Sequence, residues 1–107
     1  MISLSDATLQ RVHCLFLEQQ YAAVEKSLLE TCGDNLPGVN SDYLELAERI
    51  RFAVLKLSDG DIGKLQAAIE GAEVDWRDTL MAAGFGSDLV AHLAWYPDCR
   101  HTIEGKA

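Results

Sequence analysis

The side chains able to do chemistry in this chain gather at a few places. Asp88 and His92 are four residues apart, a spacing that puts a carboxylate and an imidazole on one face of a helix, where they could share a metal ion. Cys99 and His101 set a thiol and an imidazole two residues apart near the end of the chain. A metal site needs at least three protein ligands, so each pair is short of one, and His13 or His101 would have to arrive from elsewhere. No metal site is expected, and His92 is assigned to the solvent side of the last helix. His13 and Cys14 are adjacent, so on a helix they diverge and make no nucleophile–base pair.

The stretch "DGDIGKLQAAIE" offers Asp59, Asp61 and Glu70 at positions 1, 3 and 12 of a calcium loop. Gly63 stands at the fifth position, without an oxygen ligand, and Lys64 at the sixth, where glycine is required. Calcium is therefore not expected. No nucleophile elbow, phosphate-binding glycine loop, dinucleotide fingerprint or HExxH helix occurs. The sequence calls for no cofactor and gives no support to an enzymatic activity.

The elements that must position these groups read at the helical period throughout. Ser5 is an expected N-cap, followed by Leu9, Val12 and Phe16 as an inward stripe. The turn Cys14-Leu15-Phe16-Leu17 is apolar most of the way round, so part of it is expected between helices or at an interface. A second helix runs through "EQQYAAVEKSLLETCGDN" to Gly33. The third, from Asp42, carries Ala47, Ile50, Val54 and Leu57 on one row. Phe52 and Leu55 lie off that row, which makes this helix central, with Glu45 and Arg49 as a surface pair. Ser58 and Asp61 fit a capping box, with Leu57 and Ile62 as its staple. Leu65, Ile69 and Ala72 form the next inward row.

Asp75-Trp76-Arg77-Asp78 reads as a helix start. Asp75 is the cap, Asp78 faces the first N–H groups, and Trp76, Leu80 and Ala83 point to the core. Glu73 and Arg77 are expected to pair along the outside. Gly84 ends that helix. Ser87 caps a last one, with Leu89, Val90 and Leu93 inward and Pro97 closing it. The expected fold is all-α: one domain over residues 1–107, a compact bundle of five or six short helices, with a tail from about residue 97.

Seventeen acidic residues against nine basic ones give a net charge of −8. That balance repels nucleic acid and anionic membrane surfaces and permits a basic protein partner. The first residues, "MISLSDATLQ", lack the charged and apolar regions of a signal peptide. Three cysteines without a CxxC spacing are expected as reduced thiols of a cytoplasmic protein.

"NLPG", "ERIRFAVLKLSDGD" and "VDWRDTLMAAGFGSDLVAHLAW" resemble a family of small uncharacterised bacterial proteins, over roughly Leu28 to Trp95. The resemblance implies a compact helical domain and carries over no activity and no site residues. The expected function is a protein–protein interaction module, either self-associating or an acidic partner of the immunity or inhibitor type. The alternative is a small enzyme or metal-binding protein around Asp88 and His92. Leu15 and Leu17, or Trp95 and Tyr96, are the expected contact residues, because large side chains near an element's end are often left to anchor a partner.

Overall fold

Side-chain caps and two left-handed glycines, Gly60 and Gly84, divide the chain into its helices. The computed structural model describes residues 2–36, 38–39, 44–88 and 90–97. Among them 72% are helical and no strand occurs. Ser5 accepts a bond from the Thr8 amide at 3.1 Å and starts α1 (Asp6–Leu15). The chain then leaves the helix: Phe16 and Leu17 are extended. A 3-10 turn (Glu18–Gln20) leads into α2 (Tyr21–Thr31). The apolar run from Cys14 to Leu17 is therefore not a full helical turn. Phe16 is buried, Cys14 and Leu15 are half-buried, and Leu17 alone among them is exposed.

The central helix, α3 (Leu44–Ser58), buries every residue from Arg49 to Leu55. It is central as the off-row Phe52 and Leu55 require. The expected start at Asp42 lies outside the described residues. Ser58 ends this helix and does not cap the next: its hydroxyl, fully buried, donates to the Leu55 carbonyl at 2.6 Å. The turn that follows carries Asp59 at φ 48° and Gly60 at φ 81°. Asp61 is the cap of α4 (Ile62–Ala83), accepting from the Lys64 amide at 2.9 Å.

α4 is broken at Asp75, whose backbone is extended (φ −157°, ψ 94°). Its carboxylate accepts from the Arg77 amide at 3.1 Å, so Asp75 restarts the helix as a cap does. Leu80 and Ala83 are buried beyond it, and Trp76 is half-buried against the core. Gly84, at φ 85°, closes α4; its amide bonds back to Met81 and that of Phe85 to Leu80, the paired bonds of a Schellman turn. Asp88 accepts from the Val90 amide at 2.9 Å just ahead of α5 (Ala91–Ala94). Ser87, the expected cap, is exposed and precedes that bond.

Candidate functional site

Most of the buried polar chemistry lies where α1, α3 and α5 meet. α1 turns Thr8, Arg11 and Val12 inward, a row in which a guanidinium takes a core position. Arg11 is 5% exposed, with its guanidinium carbon 4.4 Å from the Phe52 ring centroid and 4.5 Å from that of Tyr96. Cations so placed are attracted by the ring faces. Its N–H groups donate to the main-chain oxygens of Ala7, Leu93 and Trp95. α3 works the same way. Arg49 donates to the Phe85 carbonyl at 2.6 Å, Arg51 to those of Ser3 and Ile2, and Lys56 to that of Ala83. Every one of these bonds ends on a backbone carbonyl. Burial lowers the pKa of Arg11 and Arg51, yet a guanidinium stays charged in proteins.

His92 completes the cluster. The residue is 3% exposed, and its Nε2 lies 3.4 Å from the Glu48 carboxylate. The ring meets Phe52 edge-on at 5.1 Å between centroids and Phe85 at 6.2 Å. Its Nδ1 is buried without a hydrogen-bond partner. Burial pushes the imidazole pKa down, Glu48 opposes that shift, and the charges of Arg49 and Arg11 reinforce it.

This arrangement corrects two expectations. His92 is not on the solvent side; it occupies the inward position expected of Leu93, which is 54% exposed. Asp88 lies outside the four-residue α5 and caps its approach while His92 faces Glu48, so the pair shares no helix face. Cys99 and His101 lie outside the described residues. Among the described residues no group of three His, Cys, Asp or Glu side chains could hold a metal ion.

The expected contact residues divide. Leu15 and Trp95 are half-buried and packed on the core, Trp95 with its ring 6.2 Å from Phe52. Leu17 and Tyr96 remain 47% and 51% exposed. Of the helix-start residues, Asp61 and Asp75 cap, Asp78 is exposed, and Trp76 has the Arg77 guanidinium over its ring. Arg49, expected on the surface beside Glu45, is buried. Cys14 is disulfide-bonded, which overturns its reading as a reduced thiol; Cys32 is free and buried.

A cleft of about 480 Å³ opens between the N-terminal segment and α3, bordered by Ile2, Ser5, Thr8, Glu48 and Arg51. The Ser5 and Thr8 hydroxyls pair with each other at 2.9 Å at the α1 cap, and the Arg51 guanidinium is spent on the Ile2 and Ser3 carbonyls. The cleft assembles no nucleophile with a base.

The outside has a different character. No described carboxylate is buried, whereas three of the seven described basic residues are. α4 turns Glu70, Glu73 and Asp78 outward together with Val74, 85% exposed, and Met81, 65% exposed. No family model, curated protein or solved structure matches this chain.

Proposed function

We propose that the protein is a protein–protein interaction module whose acidic exterior receives a basic protein partner, in the manner of an immunity or inhibitor protein. One observation carries the reading. Arg11, Arg49 and Arg51 point inward and give hydrogen bonds to main-chain carbonyls, so three cations are withdrawn from the surface. The exterior is thus more acidic than the net charge of −8 conveys. A field of one sign steers an oppositely charged partner, and the exposed Val74 and Met81 on α4 supply apolar contact within it.

Self-association is disfavoured by the same charge, because two copies repel each other. The exposed Leu17 and Tyr96 would be its contacts. A site around Asp88 and His92 has less support still: the imidazole is closed off from solvent and turned away from Asp88. The chain has no described helix long and apolar enough to cross a membrane, and the acidic exterior weighs against nucleic acid and anionic lipid. A bacterial cytoplasm is the location we propose with this function, and there the disulfide at Cys14 would be a transient bond.

The test is affinity capture from the native lysate at low and high salt. The baits are the wild type and a Glu70→Lys, Glu73→Lys, Asp78→Lys triple variant. A basic protein held by the wild type, released by salt and lost by the variant supports the proposal. Baits that capture the same proteins at both salt concentrations refute it.

A further inference from the structure

We propose that His92 keys an acid-opened latch: neutral, it seats α5 and Trp95 on Phe52 and Phe85; protonated, it releases them. The geometry supplies the reason. With one ring proton, Nε2–H can face the Glu48 carboxylate at 3.4 Å, and Nδ1 is buried without a partner. A second proton must go to Nδ1, where no acceptor waits, so it creates a buried, unpaired charged donor.

The surrounding charges make this worse. From α3 come Glu48 and Arg49, with Lys56 lying 5.0 Å from the Phe85 ring centroid. From α1 comes Arg11, sandwiched between Phe52 and Tyr96. From the segment before α5 comes Asp88, which is exposed and bonded to the Val90 amide. Among the described residues Glu48 is the one carboxylate at the ring, against the guanidiniums of Arg11 and Arg49. Adding a cation to that set opposes docking.

The element that yields is also defined. α5 is four residues long, and among the described residues its hold on the body includes His92, Ala91, the Trp95 ring, the Tyr96 ring on Arg11 and the bonds from Arg11 to the Leu93 and Trp95 carbonyls. A helix of one turn opens before the longer packed helices do. Its release uncovers Phe52 and Phe85, which are 0% and 2% exposed in the closed form.

The pH window follows from the direction of the shift. The docked pKa of His92 lies below its ordinary value because burial disfavours the charged ring. Above about pH 6.5 both forms are neutral and docking is at full strength. As pH falls below that value the undocked form takes the proton first, and docking weakens by up to about tenfold per pH unit until the docked pKa is reached.

The chain has two tryptophans, so Trp76→Phe leaves Trp95 as the sole reporter and Trp95→Phe leaves Trp76. Emission from each variant is followed from pH 8 to pH 4.5, alongside the ring resonances of His92 in the wild type. The latch requires Trp95 to shift to the emission of a solvated indole, with the same midpoint as the His92 resonances, while Trp76 and the far-UV spectrum hold. His92→Leu must abolish the shift. Flat Trp95 emission overturns the proposal. So does a shared midpoint for Trp95 and Trp76, which would be global unfolding. A His92→Leu chain that keeps the wild-type transition overturns it equally. Should that variant not fold, agreement or disagreement between the wild-type His92 midpoint and the Trp95 midpoint decides alone.

Discussion

Arg51 on the central helix donates a hydrogen bond of 2.6 Å to the carbonyl of Ile2, 49 residues earlier in the chain. A second bond, 2.8 Å long, goes to Ser3. The side chain is 1% exposed, so this pair fastens the N-terminal segment to α3 with a cation that never meets water. We expect Arg51→Ala to lose about 3–5 kcal/mol, as large buried side chains do when truncated. Arg51→Met fills the space and strands only the two carbonyls, so its loss should be about 1–3 kcal/mol. Urea midpoints decide. Equal losses would mean that the arginine stem contributes no packing.

Gly60 is fixed by two independent constraints. Its φ of +81° suits a residue without a side chain, and a Cβ there would sit 2.7 Å from the Leu15 carbonyl oxygen. The end of α1 therefore packs directly on the α3–α4 turn. Gly60→Ala meets both the backbone penalty and the clash, and should lower stability by about 2 kcal/mol or more. Gly38 offers the contrast: its φ is +78° but nothing lies within 4 Å, so the same change there should cost about 1 kcal/mol. Thermal midpoints of the two variants test the difference.

At the break in α4, Asp75→Ala removes a cap and should cost roughly 0.5–2 kcal/mol. Trp76 is half-buried beneath Arg77, so Trp76→Ala should cost about 2 kcal/mol, short of the ~3–5 expected for a fully buried indole. Asp78 is exposed, and its role as a dipole partner of the restarted helix predicts a loss of about 0.3–1 kcal/mol. Denaturant midpoints should rank the losses with Trp76→Ala the largest, Asp75→Ala next and Asp78→Ala the smallest.

The helices were legible because their periods and caps are local. Ser5, Asp75 and Gly84 each act where the sequence puts them, while the cap expected at Ser58 falls three residues later on Asp61. The buried cations were legible too, had the geometry been carried one step further. At 3.6 residues per turn Arg51 falls about 40° from Ala47, and Leu55 about 80° from it. A helix that buries both leaves Arg51 between them with no way out. The α5 region was not legible. The expected row runs through Leu89, which lies outside the described residues, Val90 and Leu93, but the helix begins only at Ala91 and lasts one turn. A period cannot be read from one turn, and the choice of His92 over Leu93 is made by Glu48, Phe52 and Arg11 from distant parts of the chain. Nor does any glycine or proline announce that the chain leaves α1 at Phe16.

The cysteines give a prediction in which burial and covalent state act separately. Burial pushes the Cys32 thiol up to about 11, with the Thr31 hydroxyl and Arg51 opposing the shift. The thiolate is the reactive form, so at pH 8 only about one Cys32 in a thousand is ionised, from the distance between that pH and that value. The side chain is also 0% exposed, which bars a reagent from reaching it. Cys14 is half-buried and disulfide-bonded, so it is protected by a bond and not by packing. Alkylation of the native chain at pH 8, read by peptide mass, should therefore leave both residues unmodified. Reductant without denaturant should open Cys14 alone, and denaturant without reductant should open Cys32 alone. Modification of Cys14 before any reductant is added would show a free thiol there and overturn this prediction.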